Sequence, residues 1–447
     1  MTDRYGPLRF SGSGVRGLKP SATLSLNDRV REMRAAGLDV YHLGFGESRF
    51  PVHPKIADAL RANVHQRSYL PTMGIWELRE TIAAFYHRKF KMEVSPDQVV
   101  TGPGSKSLLY ALVLALGEEL ILPQPSWVSY ASQAHMAGKP VNWVSMRPDG
   151  GYQLDTNDLL HVMEDARDKW GNPEVLVLNT PNNPTGTMLS PEVVRALGEF
   201  AREQRLMVIS DEIYALTAHC QVPHVSPAQH YPEGTVALGG LSKHLSLGGW
   251  RFGVAVLPPG RAGEALRKAL TCIAGAIWSC VAAPVQYAAL VAYSDDPDVN
   301  GYIDQCTRMH SIRTRYLYQG LVEAGVPCVE PSGGFYVFPS FDLWKDPLAE
   351  RGVHTSDDLA TYLLENYQLA TVPGSAFGCP SEELCLRLSS SYLDTESEEK
   401  VSSLVEVFNR DPDPERFIED HHPQTREAIT RIAEFVAEMH PSYRRSI

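Results

Sequence analysis

Lys243 stands in the run Leu241-Ser242-Lys243-His244-Leu245-Ser246-Leu247-Gly248-Gly249-Trp250-Arg251. Most lysines are solvated surface charges. This one follows the apolar run Val236-Ala237-Leu238, which reads as the end of a buried strand. An unpaired ammonium there is costly, so the amine is expected to lose its proton more readily than usual. A neutral amine attacks carbonyls and forms Schiff bases. Arg251 follows eight residues on, and its planar fork of donors suits a phosphate dianion. The segment therefore pairs carbonyl chemistry with a phosphate clamp.

Other residue types with chemical reach recur just after short apolar runs. Gly102-Pro103-Gly104-Ser105-Lys106 turns from a strand into a helix, where free amides and the helix dipole attract phosphate. Trp127 offers a flat face for stacking on a heteroaromatic ring, or else packs in the core. Asn183, held between Pro181 and Pro184, can donate to a phenolate oxygen or cap the next helix. Asp211 at a buried strand end needs a cationic partner, and a protonated pyridine nitrogen is one; helix capping is the plainer role. Tyr214 is three residues on and within reach of a ring hydroxyl. Arg387, between Leu386 and Leu388, either meets an anionic substrate or pairs with an internal aspartate. Glycines 44 and 46 let backbone approach a ligand or form a plain turn. A lysine, a phosphate clamp and a ring cradle together point to pyridoxal 5'-phosphate.

These residues need a scaffold that gathers strand ends. Apolar runs at 98–101, 119–122, 141–144, 174–179, 206–210, 235–239 and 252–257 read as strands. Amphipathic stretches at 75–88, 105–116, 191–203 and 261–270 read as helices between them. Strands apolar throughout, alternating with helices, predict an α/β fold with a mostly parallel sheet covered on both faces. Such sheets bind ligands beyond their carboxyl ends. A long helix at 303–324 leads into a smaller α+β unit. The expected domains are a large one at 48–300, a discontinuous small one at 1–47 and 301–408, and a helical extension at 409–447. In that extension Ile429, Ile432, Phe435, Val436 and Met439 form a packing stripe.

The 447 residues carry a formal charge of −12 with 43% hydrophobic residues. That balance argues against a nucleic-acid or anionic-membrane surface. No apolar run reaches membrane-span length, and the first twenty residues lack a signal-peptide core. Seven scattered cysteines, with no CxxC or Cys/His pair at zinc spacing, lead to the expectation of a cytoplasmic chain without a metal.

In order and spacing, Tyr69-x4-Gly74, Gly104-Ser105-Lys106, Trp127, Asn183-Pro184-Thr185-Gly186, Asp211-x2-Tyr214, Lys243-x7-Arg251 and Arg387 resemble the fold-type I pyridoxal-phosphate enzymes, specifically the class I/II aminotransferases of the aspartate aminotransferase superfamily. The resemblance spans about residues 17–408. It implies that Lys243 forms the Schiff base with the cofactor and then shuttles the proton. It implies that Asp211 keeps the pyridine nitrogen protonated, that Asn183 and Tyr214 bond the ring oxygen, and that Trp127 stacks on the ring. The phosphate falls to Gly104, Ser105, Lys106 and Arg251, joined by Tyr69 from the second subunit of a homodimer. Arg387 grips the substrate α-carboxylate near the Gly46 backbone. The implied reaction moves an α-amino group between an L-amino acid and a 2-oxo acid.

Three departures stand out. Gly240 replaces a frequent serine phosphate ligand three residues before the lysine, leaving Ser242 as a substitute. Pro103 removes one amide from the phosphate turn. Ser48-Arg49-Phe50 follows Gly46-Glu47 where relatives have proline and an acid, and Arg49 reads as an entrance cation or a surface salt bridge. The same constellation also serves elimination, replacement, condensation and oxidation. A sensor-type transcription regulator is disfavoured by the short N-terminal arm and acidic charge. Substrate identity stays open between a second cation (Lys106, Arg49 or a partner residue) and an apolar pocket containing Trp278, Tyr336 or Phe45.

Overall fold

The computed structural model describes residues 18, 22–117, 119–169, 175–219 and 223–439; most of the expected N-terminal arm lies outside them. The chain enters through α1 (Ala22–Ala35), the two-residue β1 (Tyr41–His42), α2 (Pro54–Ala62) and α3 (Trp76–Phe90). Then come β2 (Val99–Gly102), α4 (Ser105–Ala115), β3 (Leu120–Gln124), α5 (Ser129–Met136), β4 (Val141–Ser145) and α6 (Thr156–Lys169). The alternation continues with β5 (Val175–Asn179), α7 (Pro191–Gln204), β6 (Met207–Asp211), β7 (Thr235–Gly240), β8 (Gly253–Val256) and α8 (Gly260–Ile277).

Strands β2 to β8 form one seven-stranded sheet in the order β2-β8-β7-β6-β5-β3-β4. It is parallel except for β8, which runs antiparallel to both neighbours. Every residue of β2, β5, β7 and β8 is buried. That is why these strands read as continuous apolar runs rather than alternating ones. Register then does the positioning: Asn179 lies opposite Asp211, and Asp211 opposite Leu238. The carboxyl ends of β5, β6 and β7 are level, and Asn183, Tyr214 and Lys243 leave them within a few residues.

Past α9 (Ala283–Tyr293) and the 27-residue α10 (Pro297–Glu323) the chain builds a second, smaller unit. Its elements are β9 (Tyr336–Val337), α11 (Lys345–Ala349), α12 (Ser356–Tyr367), β10 (Leu369–Ala370), β11 (Val372–Pro373), β12 (Leu386–Ser389) and α13 (Glu398–Arg410). Strands β11, β12 and β9 pair antiparallel, while β10 returns to pair with β1. This return brings the 40–48 segment alongside the strand that carries Arg387.

The C-terminal extension is two helices, α14 (Pro414–His421) and α15 (Pro423–Met439). Ile432, Phe435, Val436 and Met439 join a core with Leu317, Leu321, Leu359 and Leu363, and Ile429 packs against it. The stripe is therefore packing on its own chain. Asp394 anchors its start, accepting from the Gln424 and Thr425 amides at 2.9 and 3.0 Å and from the Thr425 hydroxyl at 2.7 Å. Those amides lie at the orphan N-terminus of α15, which a carboxylate satisfies well.

Candidate active site

Lys243 sits just beyond β7 and donates through Nζ to the Gly46 carbonyl at 2.9 Å. Its ammonium lies 5.4 Å from the Tyr214 ring centroid and 5.6 Å from that of Phe335. Desolvation, then the Arg387 charge, bring its pKa down to about 8, against smaller opposing pulls from Glu47 and Asp211. A neutral amine is thus far more populated near neutrality than for a surface lysine.

Asp211 is 3% exposed. One carboxylate oxygen accepts from the Tyr130 hydroxyl at 2.8 Å and the other from the Ile213 amide at 3.3 Å. Burial raises its pKa to about 6, with the Tyr130 hydrogen bond the largest opposing effect. Asn179 donates to the Asp211 carbonyl at 2.8 Å and accepts from the Asn183 amide at 2.7 Å. This chain of bonds fixes the β5 and β6 exits relative to each other.

Arg387, 3% exposed, donates to Asn183 Oδ1 at 3.0 Å and to the Gly44 carbonyl at 2.6 Å. Its guanidinium lies 4.7 Å from the Tyr336 ring centroid and 5.1 Å from that of Phe377. No carboxylate pairs with it among the described residues, and its buried Nε has no hydrogen-bond partner there. A buried cation without an anion is costly. Of the two partners the sequence leaves open, no internal aspartate meets it among those residues, and a bound carboxylate would relieve the cost.

The phosphate end is built on glycine. Gly104 caps α4 at φ 85° with no side chain in the way. A Cβ there would collide with the Arg251 guanidinium, and one at Gly253 would strike the Gly104–Ser105 peptide. Arg251 itself has φ 53° and donates to the Gly248 carbonyl at 2.7 Å. Lys106 Nζ lies 4.7 Å from the Trp127 ring centroid, and burial followed by the Arg251 charge lowers its pKa. Trp127 meets Tyr130 edge-on at 5.4 Å, which ties this end to Asp211. The cations, the bare helix N-terminus and the unpartnered Arg387 Nε fit a phosphate and a carboxylate.

The fold thus brings together Lys243, Asp211, Tyr214, Asn183, Arg387, Gly46, Gly104, Ser105, Lys106, Trp127 and Arg251, with Ser242 half-buried beside the lysine. Tyr69 stands apart, 89% exposed. Arg49 forms no ion pair among the described residues; it donates to the Glu396 carbonyl at 3.2 Å and lies 5.3 Å from the Tyr392 ring centroid. The salt-bridge expectation for Arg49 is corrected accordingly: Glu396 pairs instead with Lys400 at 3.0 Å. Tyr130 and Tyr336 were not singled out as partners of Asp211 and Tyr214, although Tyr336 bonds the Tyr214 hydroxyl at 2.8 Å. Tyr130's place one helical turn beyond Trp127 was the available signal.

The model of the family described as aminotransferase class I and II matches residues 39–404. The chain belongs to that family. It is 33% identical over 402 residues to an aspartate aminotransferase of Bacillus subtilis (strain 168), covering 88% of this chain and 98% of that one. It is also 33% identical over 386 residues to a probable aspartate/prephenate aminotransferase of Aquifex aeolicus, covering 84% and 93%. Among solved structures, the aspartate aminotransferase of Thermus thermophilus with maleate superposes with a TM-score of 0.78 at 30% identity, over 90% of this chain and 100% of that one. An aromatic aminotransferase of Pyrococcus horikoshii gives a TM-score of 0.74 at 26% identity, over 92% and 99%. This class I/II aminotransferase has the fold-type I architecture and uses pyridoxal 5'-phosphate to move amino groups between amino acids and 2-oxo acids. Among the described residues, no helix is long and apolar enough to cross a membrane.

Proposed function

We propose that the preferred amino donor is aspartate and that a second cation, Lys106, receives its side-chain carboxylate. The observation that carries this reading is a second cation without a carboxylate partner among the described residues: Lys106 Nζ lies 4.7 Å from the Trp127 ring centroid, and Arg387 likewise has no carboxylate partner there. A dicarboxylate offers one anion to each. The aspartate aminotransferases named above point the same way.

Bound pyridoxal phosphate supplies an electron sink that makes the substrate Cα–H bond acidic. Lys243 would hold the cofactor and would move the proton at the substrate Cα. Its low pKa supports both duties, since a base near neutrality works best. Asp211, ionised above about pH 6, keeps the ring nitrogen charged. Asn183 and Tyr214 would bond the ring oxygen, Trp127 would stack on the ring, and Gly104, Ser105 and Arg251 would hold the phosphate. Ser242 supplies the hydroxyl that position 240 lacks. Arg387 would grip the α-carboxylate, with the Gly46 backbone nearby. The exposure of Tyr69 supports a homodimer in which it reaches the partner's phosphate. Acidic charge and scattered thiols support a cytoplasmic location.

Lys106→Met tests the substrate assignment. Aspartate kcat/KM is expected to fall by about ten- to a hundredfold, the worth of one charge-assisted contact, while an aliphatic amino acid is unaffected. Equal losses for all substrates, together with weaker cofactor binding, would assign Lys106 to the phosphate instead.

A further inference from the structure

Away from the cleft, the turn between Phe377 and β12 gathers a second set of reactive side chains. Cys379, Glu383 and Cys385 present two sulfurs and a carboxylate oxygen, all within 4.8 Å of one another. The thiols are 9% and 6% exposed, whereas Glu383 is open to solvent. No motif announces this group: the spacing is Cys-x3-Glu-x-Cys, and it is the turn that makes the three residues neighbours.

The backbone holds the two sulfurs face to face. Gly374 accepts from the Cys379 amide at 3.3 Å and donates to the Cys385 carbonyl at 2.8 Å, so one glycine anchors both cysteines. Its missing side chain is required, because a Cβ would run into Cys385 Sγ. The Ser126 amide donates to the Phe377 carbonyl at 3.0 Å, and Gln124 donates to the Gly378 carbonyl, which fastens the turn to the end of β3. Glu383 makes no ion pair among the described residues.

We propose that Cys379, Glu383 and Cys385 form a binding site for a thiophilic divalent cation, with zinc as the reference ion. Two thiolates and a carboxylate are a recognised zinc donor set, and three protein ligands leave a fourth position for water. Zinc–sulfur bonds of about 2.3 Å set tetrahedral sulfur–sulfur edges near about 3.8 Å, so a group already within 4.8 Å needs only side-chain adjustment. The exposed Glu383 is the entry side. Zinc binds thiolates, so binding releases protons and strengthens as pH rises. The turn carries Phe377 at one end and leads into Arg387 at the other, which places the ion where it would brace the substrate-carboxylate strand. The site is independent of which amino acid the cleft accepts.

Isothermal titration of the reduced, cofactor-loaded protein with zinc chloride is the test. One equivalent per chain is expected, with binding lost in Cys379→Ser and Cys385→Ser, weakened at least about tenfold in Glu383→Gln, and unchanged in Cys272→Ser, which alters an exposed thiol elsewhere. Absence of binding, or binding that survives both cysteine substitutions, would overturn the proposal. Should those variants fail to fold, alkylation of the unsubstituted protein serves: zinc is expected to slow modification of Cys379 and Cys385 together, and equal rates with and without zinc would overturn it.

Discussion

Tyr130→Phe removes one hydroxyl and leaves the ring packing in place. The lost contact is a 2.8 Å hydrogen bond to Asp211, a carboxyl that burial has already raised to about 6. At pH 7 such a group is about nine-tenths ionised. A hydrogen bond to a charged acceptor is worth about 1.5–3 kcal/mol, and one pKa unit corresponds to about 1.4 kcal/mol. Losing it moves Asp211 titration upward by about one to two units, since the bond favours the ionised form. At pH 7 the ionised fraction falls to between about one-half and one-tenth. If ionised Asp211 holds the charged cofactor ring, affinity for pyridoxal phosphate at pH 7 falls about two- to ninefold, and the acid limb of the binding curve shifts by the same one to two units. Spectrophotometric titration of cofactor-free protein across the acid-to-neutral range measures both. An acid limb in the same place in both proteins would refute the reasoning. A loss equal at every pH would also refute it, because it would make Tyr130 a matter of ring orientation rather than charge.

Arg387→Ala is expected to raise KM for every amino and oxo acid about ten- to a hundredfold, by loss of one charge-assisted contact; steady-state kinetics with several substrates would show an unchanged KM if the α-carboxylate binds elsewhere. Asp394→Ala leaves the first amides of α15 without their acceptor and should cost about 0.5–2 kcal/mol of stability, read as a lower Tm, with Thr425→Val giving a smaller drop; an unchanged Tm would mean that α15 does not need this cap. Tyr69→Phe and Lys243→Ala chains, each impaired alone, should regain activity on mixing, because a hybrid dimer then contains one site with both residues; no recovery would rule out sharing of Tyr69 across subunits.

Most of the sheet was legible because its inner strands are buried on both faces and appear as apolar runs close to where they form, whereas the edge strand β4, Val-Asn-Trp-Val-Ser with only Val144 buried, carries a weaker run. The residues at those strand ends were legible for a related reason: polar side chains directly after buried runs need partners, and a parallel sheet collects them at one edge. Contacts that cross the chain were not. Tyr130 and Asp211 are 81 positions apart, and Tyr214 and Tyr336 are 122 apart, with no periodicity to join them. Cys379, Glu383 and Cys385 escaped because motif spacing assumes a known loop shape, and this turn takes its shape from Gly374.

The two cations proposed to meet substrate and cofactor both donate to main-chain oxygens of one short stretch: Arg387 to Gly44 and Lys243 to Gly46. That stretch continues from β1, which is paired to β10 of the smaller unit. The Gly44–Gly46 backbone thus offers each of the two buried cations a neutral acceptor. Only the Lys243 bond reaches from the large sheet to this stretch, because Arg387 stands on β12 of the smaller unit itself.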